Sequence, residues 1–184
     1  MKILFAILLL FCTLNHNSFA DDINGLYAKA YGDPKNQSLI FLHGGPGYNS
    51  YSFEFSNAQV LAQRGYYVII FDQRGCGRSE KAALETYTFS NAVQDVRAII
   101  LNYNISAPIL LGHSYGGTLA IKYAEAYPDE VKSLLLIDAP MDQQGMVQNI
   151  LDRCEEVYRQ RSDDTNVKYI QEIRAAVFGS GKYV

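Results

Sequence analysis

The chain has 184 residues, 48% of them apolar, and a formal net charge of −3 at pH 7. That length suits one domain with a sizeable buried core and a small appendage. Mild acidity with no basic stripe excludes a nucleic-acid binder, and no repeat or low-complexity tract is present.

Residues 1–20 are laid out as a secretory signal peptide. Lys2 gives a positive start, Ile3 to Cys12 is an unbroken apolar run, and Ser18-Phe19-Ala20 ends in a small residue before Asp21-Asp22. Cleavage after Ala20 is expected, which makes the chain secreted or periplasmic. The apolar run is shorter than the ~20 residues a membrane span takes, so no stable span is expected after signal removal. The competing reading is an N-terminal anchor that stays on. Phe11 ahead of Cys12 argues against a lipoprotein cleavage site. Cys76 and Cys154 then remain; an exported protein can pair them, but two free, mostly buried thiols is the plainer expectation.

Gly25 to Gly32 is a short extended stretch, and Gly32-Asp33-Pro34 is a turn signal. Ser38 to Leu42 is an apolar run fit for a strand buried on both faces, and it ends in His43-Gly-Gly-Pro-Gly47. Residues 51–63 are weakly helical, with Gly65 as a cap. Tyr66 to Phe71 is a second buried strand, followed by the glycine-rich loop Asp72-Gln-Arg-Gly-Cys-Gly-Arg-Ser79. Val93, Val96, Ile99, Ile100 and Tyr103 mark an amphipathic helix over 90–102. A strand at 108–111, a helix at 114–127 stopped by Pro128 and a strand at 131–137 complete the alternation. Strands alternating with helices predict an α/β fold, a mostly parallel sheet with helices on both faces. After Asp138-Ala-Pro140 two helices follow with no strand between them, which read as the start of a helical cap. The expected division is 1–20 signal peptide, 21–140 sheet domain and 141–184 cap.

Chemistry concentrates at the carboxyl ends of the strands, where ligands bind in such sheets. Gly112-His-Ser-Tyr-Gly116 joins an apolar strand to a helix and reads as a nucleophile elbow. The turn exposes the Ser114 hydroxyl, and glycines flank it because side chains there would collide with the turn. A serine needs a base to take its proton. The backbone N–H of Tyr115 stands at a helix N-terminus, where it stabilises a developing oxyanion. The second oxyanion donor is expected from the loop after the first buried strand, Gly45 first and Gly44 as the alternative. His43 and His113 are expected to be structural, His43 ordering its loop and His113 turned away from its neighbour. Asp72 to Ser79 lacks the ending of a P-loop and is expected to be a structural loop beside the site. No metal-ligand spacing and no cofactor motif is present, so neither a metal nor a cofactor is expected.

His43-Gly-Gly-Pro-Gly47, Asp72-Gln-Arg-Gly-Cys-Gly-Arg-Ser79 and the Ser114 elbow, in this order, resemble the proline iminopeptidase branch of the α/β-hydrolases over residues 24–140. The elbow departs from that branch, whose usual form is Gly-Gly-Ser-Trp-Gly, towards general esterases. The resemblance implies acyl transfer through Ser114, with a short peptide or small amide, N-terminal proline above all, as substrate. It also implies a triad in the order serine, acid, histidine. No histidine follows Ser114, so an incomplete chain lacking the carboxyl-terminal strands and the triad histidine is expected. Asp138, at the end of the strand after the nucleophile helix, is the one acid at a position that some α/β-hydrolases use. Acidic cap residues that bind the substrate amine are implied too, but Glu155, Glu156 and Glu172 do not match them. Three alternatives stand beside this expectation: an esterase of another branch, an inactive truncated remnant, and a binding module that uses the pocket without catalysis.

Overall fold

The computed structural model describes residues 20–178 apart from Pro46. The expected signal peptide lies, up to residue 19, outside the described residues. The chain divides into two compact units, Met1–Ala139 and Pro140–Val184.

The first unit is a six-stranded sheet. Its strands are β1 (Asp21–Ile23), β2 (Leu26–Tyr31), β3 (Gln37–Leu42), β4 (Tyr66–Phe71), β5 (Ile109–His113) and β6 (Ser133–Ile137). They lie in the order β1-β2-β4-β3-β5-β6. β4, β3, β5 and β6 are parallel, and β1 and β2 add antiparallel at one edge. β1 and β2 form a hairpin through Asn24 and Gly25, both at positive φ (55° and 81°). That is the turn whose twist matches paired strands, and Asn-Gly is its preferred sequence.

Strand alternation divides the core between the two faces of the sheet. Ile40, Leu42, Ile69, Phe71 and Leu110 face one way, against Val93, Val96 and Ile99 of α2 (Phe89–Asn102) and Leu119, Ala120 and Tyr123 of α3 (Tyr115–Ala126). Leu39, Phe41, Val68, Ile70 and Leu111 face the other way, against Phe53, Ala58 and Leu61 of α1 (residues 51–63). α1 runs in three successive pieces, Tyr51–Phe53, a π-helical stretch Glu54–Ala58 and Gln59–Gln63. The Phe53 ring stacks on Phe41 with centroids 3.9 Å apart. Thr88 caps α2, its side chain accepting from the Asn91 N–H at 3.2 Å.

The chain passes from β3 to β4 on one side, then crosses to β5 on the other side of β3. The loops leaving β3 and β5 therefore diverge from the carboxyl end of neighbouring strands, the switch point where such sheets hold ligands.

The second unit pairs α4 (Gln143–Gln160) with α5 (Asp164–Phe178). Asp142 caps α4 by accepting from the Gly145 N–H at 2.8 Å. Arg174 joins the two helices through Asp152 at 2.7 Å and Glu155 at 3.1 Å. Among the described residues no helix is long and apolar enough to cross a membrane.

β6 lies at the sheet edge and contains no charged residue. Leu135, Leu136 and Ile137 are 47%, 39% and 50% exposed. An apolar edge is a template for pairing with other chains. Leu135→Lys is expected to suppress concentration-dependent association in light scattering while stability stays within about 0.5 kcal/mol. Equal association of the two proteins would show that β6 is not the adhesive edge.

Candidate active site

β5 ends at His113 and α3 begins at Tyr115, so Ser114 makes the turn alone. Its backbone sits at φ 52°, ψ −123°. A non-glycine residue enters that region at a cost of about 1–3 kcal/mol, and only where its surroundings enforce it. The Ser114 N–H donates to the Ile137 carbonyl at 2.9 Å, and the Ser114 carbonyl accepts from the Gly117 N–H at 2.8 Å. A Cβ on Gly116 would stand 2.0 Å from the Leu42 carbonyl oxygen, and one on Gly112 would stand 2.5 Å from the Gly116 carbonyl oxygen. Both glycines are required because α3 starts in backbone contact with β3 and β5.

The loop after β3 meets this turn. A Cβ on Gly44 would lie 3.3 Å from Ser114 Cβ and 3.0 Å from His113 Nδ1, so the bare Gly44 backbone rests on both residues. Gly45 is exposed and sits at φ 144°, a conformation open to glycine. On the helix side, Tyr115 supplies the first N–H of α3, where the helix dipole is positive. Its ring stacks on Phe89 with centroids 5.3 Å apart, and burial raises the pKa of its hydroxyl. Ser114, Gly44 and the start of α3 thus come together, a serine hydroxyl beside a set of backbone amides.

Among the described residues the Ser114 hydroxyl has no hydrogen bond to His43 or His113. His43 is fully buried and committed elsewhere. Its Nε2 accepts from the Gln73 N–H at 2.9 Å, its ring Nδ1 lies 2.7 Å from the Gly44 carbonyl, and its own carbonyl accepts from Gln73 Nε2 at 2.8 Å. Burial lowers the His43 pKa, against the Gly44 hydrogen bond and the Asp72 charge, which raise it. Asp138 follows β6 at φ 48° and is exposed. Its carboxylate makes no hydrogen bond or ion pair among the described residues. Cys76 and Cys154 are free thiols, Cys76 buried.

The scaffold behind the site was not legible residue by residue. Asp72 is fully buried and accepts from Ser50 N–H (2.8 Å), Ser50 Oγ (2.6 Å), Arg78 N–H (2.9 Å) and Arg78 Nε (2.8 Å). Arg78 also pairs with Glu54 at 2.6 Å and stacks over Tyr27 at 3.6 Å. Arg74 forms a two-pronged pair with Asp95 at 2.7 and 2.6 Å, which ties the same loop to α2. Only the glycine-rich motif itself signalled that this loop matters.

Burial works to raise the Asp72 pKa, but hydrogen bonds from Arg78 and Ser50 outweigh it and hold the value at about 2. A depressed carboxylate stabilises the fold above its ordinary value of 3.8, and that contribution is lost as pH falls through about 2. The shift corresponds to about 2 kcal/mol. Asp72→Asn is expected to cost at least that much in urea unfolding at pH 7 and to flatten the acid limb of the stability profile. An unchanged acid limb would remove Asp72 from this role.

Residues 37–180 match the family described as alpha/beta hydrolase fold. The chain is 35% identical over 121 residues to a proline iminopeptidase of Arabidopsis thaliana, covering 65% of this chain and 31% of that enzyme. It is 35% identical over 138 residues to a proline iminopeptidase of Thermoplasma volcanium, covering 72% of this chain and 46% of that enzyme. Among solved structures, a proline iminopeptidase-related protein from Thermus thermophilus superposes with a TM-score of 0.61 at 25% identity, covering 68% of this chain and 45% of that one. An epoxide hydrolase of Vigna radiata superposes with a TM-score of 0.58 at 26% identity, covering 65% and 37%. The chain spans less than half the length of these relatives.

Proposed function

Because the chain belongs to the alpha/beta hydrolase fold family, we propose that it carries the nucleophile and oxyanion loops of a serine hydrolase that releases N-terminal proline from short peptides. The observation that carries this reading is the Ser114 turn lying directly against Gly44. The similarity to named proline iminopeptidases supports the substrate class.

Ser114 Oγ attacks the substrate carbonyl as its proton passes to a base, forming a tetrahedral oxyanion. The N–H groups of Tyr115 and of the 44–45 loop receive that charge in the transition state. Collapse breaks the C–N bond, the amine leaves with a proton, and water then hydrolyses the acyl-serine. Neither His43, which is spent on its own loop, nor any other described residue is given the role of base in this reading, and Asp138 at the end of β6 is the candidate for the acid. Export to the periplasm or exterior, directed by residues 1–20, belongs to the same proposal.

The Gly112-His-Ser-Tyr-Gly116 form of the elbow favours an esterase as the second reading. In the protein expressed from its complete gene, Ser114→Ala is expected to lower hydrolysis of L-prolyl-4-nitroanilide by at least ~10³-fold. Faster Ser114-dependent turnover of 4-nitrophenyl acetate than of the prolyl amide would favour the esterase. Turnover unchanged by Ser114→Ala would contradict both.

A further inference from the structure

We infer that His43 and Gln73 are positioning residues that aim the amides of the oxyanion loop. This rests on the serine-hydrolase reading above, and it concerns two peptide planes. The Gln73 N–H donates to His43 Nε2 at 2.9 Å, which makes Nε2 the acceptor and leaves the ring proton on Nδ1. Nδ1–H then donates to the Gly44 carbonyl at 2.7 Å. The Gly44 C=O and the Gly45 N–H belong to one planar trans peptide and point in opposite directions. Fixing the carbonyl on the fully buried His43 turns the Gly45 N–H away from the interior.

The preceding peptide is fixed in the same way. The His43 carbonyl accepts from Gln73 Nε2 at 2.8 Å, so the Gly44 N–H points away from Gln73. One residue earlier in the same loop, Asp72 grips Ser50, the residue just before α1, through its N–H at 2.8 Å and its hydroxyl at 2.6 Å. Two successive residues after β4 thus grip both ends of the loop after β3. A bare glycine pair has wide backbone freedom. These side chains remove that freedom before substrate arrives, and such preorganisation is what makes oxyanion donors effective.

The test compares His43→Leu with His43→Asn, whose amide keeps a donor for the Gly44 carbonyl, and with Gln73→Leu. Thermal melting establishes that each variant is folded. ¹⁵N order parameters of Gly44 and Gly45 are expected near the rigid value of ~0.85 in the wild type and below ~0.6 in His43→Leu, with partial recovery in His43→Asn. In hydrolysis of L-prolyl-4-nitroanilide, kcat is expected to fall ~10²-fold or more in His43→Leu, with KM changed less than ~3-fold and partial rescue by Asn. Rigid glycines and full kcat in the two leucine variants would overturn the inference, as would a loss confined to KM. If the wild type shows no Ser114-dependent turnover, the functional reading fails, and the order parameters still decide whether these side chains aim the loop.

Discussion

The constraint on which the rest depends is the backbone of Ser114. A residue with a Cβ holds φ 52°, ψ −123° between a strand and a helix. That conformation survives because α3 starts in direct contact with the backbone of β3, a contact that Gly116 alone permits. The same contact brings the loop after β3 onto the turn, so the strain and the assembly of the site have one cause. Leu119, Ala120 and Tyr123, all fully buried, bind α3 to the sheet and offset the local cost.

A second layer makes the loops rigid. The loop after β4 contributes no nucleophile and no base, yet its side chains reach in every direction that matters. Asp72 takes Ser50 and Arg78, Gln73 takes His43, and Arg74 takes Asp95 on α2. Arg78 extends the grip to Glu54 of α1 and to the ring of Tyr27 on β2. A fully buried carboxylate is costly unless it is paired and fully hydrogen-bonded, and Asp72 meets both conditions. Its removal takes from Arg78 its most buried partner and leaves it Glu54 and Ser50.

Much of this was legible in the sequence because it depends on local pattern. The apolar runs of β3, β4 and β5, the period of α2 and the strand–Gly-x-Ser-x-Gly–helix junction each specify their own geometry. The β1–β2 hairpin was not read from the sequence: β2 was expected only as a short extended stretch, and β1 is three residues long and polar in two of them. The π-helical stretch at Glu54–Ala58 has no local signal, since its register answers to Tyr31, Lys29 and Arg78 from other elements. The Asp72–Ser50 and Gln73–His43 bonds join residues 22 and 30 positions apart, and pattern along the chain carries nothing about such pairs. A base for Ser114 is a different case: His43 is committed to the loop it orders, and Asp138 stands exposed at the end of β6.

The central claim is that this turn presents a reactive serine. The most direct measurement is covalent labelling of the protein, expressed from its complete gene, with a fluorophosphonate, followed by peptide mapping. The account predicts a single adduct on the peptide containing Ser114, abolished by prior denaturation. A cooperatively folded protein with no adduct, or with its adduct on another serine, would contradict it.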